Sequence, residues 1–304
     1  MIEKKMKNVY VVGSINTDLV IKAPYMPVSG ETLTGEGFFM AHGGKGANQA
    51  VAAARLGANV VLCGCVGNDG FGKTAIEAFK KDGIDTRNIR VVENTPSGTA
   101  IIIVVDGDNR IILDKGANGF LTEEDIDKAL ENAQEGDIYL TQLENPIEII
   151  GYGLKKAKEK GMYVVLNPAP ANKEIEPYLC YCDLITPNET EVELLGGREK
   201  LLKKVKTLLV TLGGDGFEIV TPQGAQKYPC MKITPVDTTA AGDTLCGGLV
   251  AVLAEGKTLE EAAKLGSKAA SIACTRKGAQ PSIPTRKEVE EYKWNGVVAE
   301  AGLV

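Results

Sequence analysis

The sequence predicts a three-layer α/β/α fold, a mostly parallel sheet with helices on both faces, and a small second sheet that stands off it. Three observations predict this. Short β-rich runs alternate with helical runs along most of the 304 residues, as parallel strands joined by crossover helices do. The later strands, such as "MYVVLNP" (162–168) and "KTLLVTLGG" (206–214), are unbroken apolar runs, the pattern of strands buried on both faces. Residues 19–39 and 99–115 break the rhythm: they read as strands and hairpins without helices, with a "DGDN" turn in the second.

In chain order, "NVYVVG" (8–13) is the first strand and "ANQAVAAARLG" the first helix, rich in Ala and closed near Gly57. Strand "ANVVLCGCVG" (58–67) and helix "FGKTAIEAFKKDG" follow, then the second irregular stretch. Strand "GDIYLTQL" (136–143), helix "PIEIIGYGLKKAKEKG", and strands at 162–168, 182–188 and 206–214 complete the alternation. The two irregular stretches, about 17–42 and 96–116, read as one small sheet on a single domain spanning 1–304. A lid over a site and an ordinary edge extension explain it equally well.

Composition excludes several classes. A net charge of −6 without a long Lys/Arg stripe argues against nucleic acid and anionic membranes as partners. No stretch of about 18 apolar residues or signal-type h-region occurs, so cytoplasm is the expected compartment. The seven cysteines form C-x-C pairs and singletons, which read as buried thiols in a reducing compartment and not as a zinc site. His42 is the only histidine, so a His-rich metal site is excluded; a loop position makes it a candidate for substrate contact.

Five segments carry chemistry. In "AHGGKGANQA", Gly43, Gly44 and Gly46 surround Lys45 ahead of a helix. They suit either a tight turn onto a buried helix or a ligand loop with free N–H donors. "VVGSINTD" puts Asn16 and Asp18 just after the first strand, at the edge where open α/β sheets bind ligands; an Asx-turn is the alternative. A dinucleotide fingerprint is missing there, which argues against a nicotinamide-dependent oxidoreductase. "LITPNETEVELLGG" places Asn188 and Glu191 at a helix start, either as a cap or as organisers of Mg²⁺ and its waters. "VTLGGDGFEIV" is a hairpin whose glycine turn leaves bare backbone that a nucleotide can approach.

In "PVDTTAAGDTLCGGL" (235–249), Asp243 opens an apolar helix behind a run of small residues. Free N–H groups near Ala241 and Gly242 would stabilise charge on a transferring phosphoryl group, while the acid takes a proton from an attacking hydroxyl. A simple helix cap is the competing reading; it explains the acid but not the small residues ahead of it.

"GGKGANQA", "TPNETE", "VDTTAAGD" and "TRKGAQPS", in this order, closely resemble motifs of the ribokinase family of sugar and nucleoside kinases, also called the phosphofructokinase-B group. The resemblance covers nearly the whole chain, from "VVGSINTD" to "RKGAQPSIP". It implies ATP-dependent phosphorylation of the ribose 5-hydroxyl, giving D-ribose 5-phosphate, with another sugar or a nucleoside as the alternative acceptor and a non-catalytic sugar-binding regulator as the more distant one. Carried onto matching positions, Asn16, Thr17, Asp18, Gly44, Lys45, Gly46, Ala47, Asn48 and Glu144 would hold the sugar. Asp243 would be the base, with Ala241 and Gly242 in the anion hole. Asn188, Thr211, Leu212, Gly213, Gly214, Asp215, Gly216, Gly242 and Ser267 would meet ATP, and Glu191 would organise Mg²⁺ through water. Asp237, Thr239, Ala273, Arg276, Gly278 and Ser282 match a monovalent-cation site, typically filled by K⁺. The resemblance also implies a homodimer through the lid.

Three features depart from the family pattern. "GGREKLLKKVKTLLVTL" is short for the helix before the nucleotide loop. Ser267 stands where a larger polar residue is expected near adenine. The tail after Trp294, "NGVVAEAGLV", carries no motif and reads equally as frayed or docked.

Overall fold

The computed structural model describes residues 6–293, and the tail after Trp294 lies outside the described residues. The chain runs β1 (Asn8–Val12), β2 (Asn16–Lys22), β3 (Glu36–Gly43), α1 (Lys45–Arg55), β4 (Asn59–Gly67), α2 (Gly70–Lys81), β5 (Asp85–Val92), β6 (Gly98–Val105) and β7 (Asp108–Asp114). It continues through α3 (Glu123–Ala129), β8 (Ile138–Thr141), α4 (Ile147–Glu159), β9 (Tyr163–Leu166), β10 (Leu184–Ile185), α5 (Glu189–Leu194), α6 (Arg198–Leu202) and β11 (Thr207–Thr211). The last elements are β12 (Phe217–Thr221), β13 (Gly224–Tyr228), α7 (Ala241–Ala254), α8 (Leu259–Ala273) and α9 (Arg286–Glu291).

Nine strands form the main sheet in the order β13-β12-β11-β10-β9-β8-β1-β4-β5. From β11 to β5 every pairing is parallel, and β12 and β13 close that edge as antiparallel hairpins. Alternation along β1 shows how the layers arise: Val9 and Val11 enter one core with α1, α2, α7 and α8, while Tyr10 and Val12 enter the other with α3 and α4. Two strands escaped the sequence reading. The edge strand β5, "DTRNIRVV", is too charged to look like a buried strand, and β13 is a short exposed hairpin arm. The five-residue α6 is as short as the sequence implies.

The second sheet, β3-β2-β6-β7, gathers both irregular stretches. Its β6–β7 hairpin turns at Asp106 and Gly107, both with positive φ, as a two-residue turn between twisted strands requires. His42 lies on β3, not in a loop; its half-buried ring packs 6.5 Å from Phe79, and burial lowers its pKa.

Strand order sets where a ligand can enter. From β1 the chain moves out to β4 and β5, and it later returns to β8 on the other side of β1. The carboxyl ends of β1 and β8 therefore diverge into a crevice, the place where open α/β sheets receive ligands.

Candidate active site

Residues from five parallel strands converge at that crevice. Asn16 and Asp18 follow β1, Glu144 follows β8, Asn167 follows β9, Thr186 and Asn188 follow β10, and Thr211 ends β11. Helix α7 enters from the side with Asp243 in its first turn.

The protein's own packing requires the glycines of "GGKG". A Cβ on Gly43 would collide with the Asp18 carboxylate, one on Gly44 would meet Asn16 N and Ser14 O at 2.8 Å, and one on Gly46 would meet the Gly13 backbone at 2.5 Å. The α1 N-terminus is also not a free donor set. Lys45 N–H donates to Glu144 Oε2 at 3.1 Å, Gly46 N–H to Ser14 Oγ at 3.4 Å, and Ala47 N–H to Ser14 O at 2.9 Å. Ser14 Oγ donates to the same Glu144 oxygen. The loop thus clamps Glu144 and packs Gly46 and Ala47 into the interior, so these two do not face a cavity.

Three cavities adjoin, and Thr238 lines all of them. The largest, about 810 Å³, lies between the small sheet and the 235–239 and 277–279 loops, with Asp18, Asp237 and Thr239 in its wall. Asp18 is 8% exposed, and burial first, then the neighbouring Glu144 and Asp243, raises its pKa to about 7. Asn16 is buried, and Asn118 Nδ2 donates to its Oδ1 at 2.7 Å. Thr17 is buried in the strand between them.

The middle cavity, about 230 Å³, holds Asp243, Lys45, Glu191, Asn188 and Gly242. Asp243 is buried, and each of its oxygens takes one amide donor: Asn48 Nδ2 at 3.0 Å on Oδ2 and Gln49 Nε2 at 2.9 Å on Oδ1. The helix-cap reading of Asp243 therefore fails. The cap position is Ala240, left-handed at φ 59°, with no side-chain cap bond. Of the expected anion-hole donors, Ala241 N–H is taken by Thr238 O at 3.2 Å. Among the described residues no acceptor meets the N–H groups of Gly242 and Asp243, and space beside Gly242 is open. Lys45, expected at the sugar, instead lines this cavity; Asp243 above all raises its pKa, with Glu144 and Glu191 adding to the effect and burial opposing it.

Asn188 and Glu191 do form the cap, a reciprocal capping box at 2.8 Å each way. Glu191 also faces the cavity; burial raises its pKa, against the Asn188 N–H bond and Lys45. Cap and cavity wall are one arrangement here.

The third cavity, about 290 Å³, is lined by Thr211, Gly213, Gly214 and Gly216 on one side and by Leu245, Ser267 and Ala270 on the other. Leu212 and Asp215 do not line it; Leu212 N–H bonds Gly216 O at 2.9 Å, and Asp215 is paired with Lys232 at 3.7 Å near the surface.

The proposed cation residues form one tied loop. Asp237 Oδ1 accepts from Thr239 N–H at 2.9 Å and its hydroxyl at 2.6 Å, and Oδ2 accepts from Gly278 N–H at 2.9 Å. Burial works against this carboxylate, but those bonds outweigh it and hold its pKa low. Arg276 N–H donates to Ala273 O at 2.9 Å, and Ser282 Oγ to Ala279 O at 2.7 Å. Among the described residues no group of three or more His, Cys, Asp or Glu could hold a metal.

Besides Ser14, Thr186 and Thr238, four amides at this site escaped the sequence reading: Gln49, Asn118, Gln142 and Asn167 form its amide framework. Only Gln49 carried a signal, by standing next to Asn48 in "GANQA". The others are single amides at strand or loop ends that become neighbours only in the fold.

The profile of the pfkB family carbohydrate kinases matches residues 6–286. The ribokinase of Haemophilus influenzae is 43% identical over 300 residues, covering 94% of this chain and 98% of its own. The crystal structure of the Thermotoga maritima ribokinase superposes with a TM-score of 0.83 at 40% identity, covering 93% of this chain and 98% of that one. The structure of Arabidopsis thaliana ribokinase complexed with ribose and ATP gives 0.83 at 32% identity, with 94% and 98% coverage. This chain belongs to the pfkB family of carbohydrate kinases.

Proposed function

We propose that the protein transfers the γ-phosphoryl group of ATP to the 5-hydroxyl of D-ribose, giving D-ribose 5-phosphate and ADP. One observation carries the reading: a buried carboxylate, Asp243, is held with both oxygens oriented, beside the open N–H of Gly242, in a cavity that adjoins the large one walled by Asp18 and the glycine-walled one. The relatives of known activity are consistent with it.

The sugar sits where the large cavity meets the middle one, with Asp18 on one wall and Asp243 on the other; Asn16, on the same strand as Asp18, and Glu144, which acts on the Asp18 charge, would meet its hydroxyls from beside that wall. A site built for hydroxyls rejects analogues lacking one, because its own polar groups are then left unpaired. ATP lies along the Thr211–Gly216 turn with its base near Ser267. Asp243 takes the proton of the 5-hydroxyl as that oxygen bonds to the γ-phosphorus and the bond from phosphorus to the β,γ-bridging oxygen breaks. The leaving charge stays on ADP. Gly242 N–H and the Lys45 ammonium face the transferring group and stabilise its charge.

Glu191 keeps one carboxylate oxygen outside the capping box and would hold Mg²⁺ through water; the metal supplies neutralisation of phosphate charge when bound. The 237–239 loop and the carbonyl end of α8 fit a monovalent cation, since a helix C-terminus carries partial negative charge and spare carbonyl lone pairs. A carbonyl-rich site of this kind suits K⁺.

The chain acts as one domain over 1–304, with the small sheet, about 17–42 and 96–116, as a lid that excludes water. The outward face of the lid carries the cross-strand row Met40, Leu19, Ile101 and Ile112, and Met40 and Ile112 are 59% and 64% exposed. A second copy covers this row in a homodimer. Seven unpaired cysteines suit the reducing cytoplasm as the place of work.

The test is an ATP-consumption assay across ribose, deoxyribose, fructose and adenosine. Ribose is expected to give the highest kcat/KM; turnover confined to another acceptor would overturn the ribose assignment.

A further inference from the structure

Gln49 is fully buried on α1, and nothing in the chemistry above gives it a task. Its Nε2 donates to Asp243 Oδ1 at 2.9 Å and to Asn167 Oδ1 at 3.0 Å, and its Oε1 accepts from Gln142 Nε2 at 2.7 Å. The orientation of this amide is set by its neighbours. Asn167 Nδ2 donates to the backbone carbonyl of Thr186 at 2.9 Å, which turns Asn167 Oδ1 toward Gln49. An ionised carboxylate only accepts. Gln49 therefore presents its NH₂ to two acceptors and its oxygen to Gln142.

The backbone is built for this contact. A Cβ on Gly247 of α7 would lie 2.5 Å from Gln49 O and would also strike the Ala52 Cβ. A Cβ on Gly248 would approach Gly266 Cα of α8 at 2.9 Å. The missing side chains let α1 and α7 approach closely enough for one-bond contact between Gln49 and Asp243.

We infer that Gln49 is a positioning residue for the proton-accepting carboxylate, fixing its rotation together with Asn48, and that Gln142 supports it by donating to the Gln49 oxygen. This rests on the proposed role of Asp243 as the base. Lys45 attracts the same carboxylate, but a point charge on a flexible stem does not set its rotation. Two amide donors on two different oxygens do, and they leave a lone pair on each oxygen for the sugar proton. Misplacing a reacting group by about 1 Å lowers turnover by about 10²-fold, so a lost donor should appear in the chemical step and not in sugar binding.

The experiment compares wild type, Gln49→Met and Gln142→Met in full kinetics with ribose and ATP, with ADP binding measured by calorimetry as a check of the folded site. Gln49→Met keeps the side-chain length without a donor. Its kcat should fall about 10- to 100-fold while the ribose KM stays within about threefold. Gln142→Met, which does not touch Asp243, should show the same split with a smaller loss. Gln49→Met turnover within about twofold of wild type, or a loss confined to KM, overturns the inference. If Gln49→Met does not bind ADP, Gln142→Met decides by the same split. Wild type without ribose phosphorylation would instead overturn the functional reading itself.

Discussion

Asp18 makes stability depend on pH in a direction opposite to that of most carboxylates. Its pKa is raised to about 7 by burial first, and then by Glu144 and Asp243, whereas an aspartate in an unfolded chain titrates near ~3.9. Between those values the native state keeps a proton that the unfolded chain has released. Stability therefore falls as pH rises from about 4 to about 7, and the Asp18 contribution is level above that. The span is about three pH units at about 1.36 kcal/mol each, so the change is on the order of 4 kcal/mol. Asp18→Asn removes this dependence while keeping the side-chain shape. Urea unfolding of wild type and variant from about pH 4.5 to 8 should show the variant gaining stability relative to wild type across the window. Ribose hydroxyls donate to the ionised carboxylate, so wild-type ribose affinity should also strengthen across it. Parallel stability curves, within about 1 kcal/mol of constant offset, would refute the reasoning.

Three other perturbations probe the same site. Asp243→Asn should lower kcat by about 10²- to 10⁴-fold, roughly 3–5 kcal/mol, with sugar affinity kept; its new NH₂ would face a donor, Asn48 or Gln49, and should lower unfolding stability by about 1–3 kcal/mol. Turnover near wild type in the ATP-consumption assay would contradict it. K⁺ should stimulate turnover over a bulky organic cation at matched ionic strength, and equal rates would remove the cation from the Asp237 loop. Gly247→Ala should cost about 1–3 kcal/mol by overpacking α1 against α7, read as a lowered melting temperature; an unchanged melt would show that the helices yield freely.

The sheet and its layers were legible because they arise from periodicity alone. The lid hairpin was legible because "DGDN" turns where positive φ is needed. Strand β5 was hidden because this edge strand keeps polar residues on both faces, with Arg87 exposed and Asn88 half-buried, so no buried apolar run marks it. At the site, Asp243 and its small-residue approach could be read, but the work of "GGKG" could not. Its glycines suited a tight turn or a ligand loop equally, and only the fold shows that they accommodate Asp18, Asn16 and Gly13 of the same chain. Nor could sequence show that Lys45 turns toward Asp243 and Glu191, since the direction of a long side chain is set by charges from other elements. The amide chain of Gln142, Gln49 and Asn167 joins residues 93 and 118 positions apart in sequence, a distance over which no spacing rule operates.

Strand β2 begins with Asn16 and Asp18, at the proposed sugar site, and runs to Lys22 in the small sheet without a break in its pairing with β6. If that sheet is a lid, β2 is its lever, with the substrate at the short end. Four residues of strand span about 13 Å, so a tilt of about 10° at Asp18 swings Lys22 by about 2 Å, more than the radius of a water molecule, about 1.4 Å. On the proposed function, a sugar that seats badly would hold the cover ajar by an amount set by its own misfit. The γ-phosphoryl group would then pass to water, giving ADP and inorganic phosphate in place of the wrong sugar phosphate.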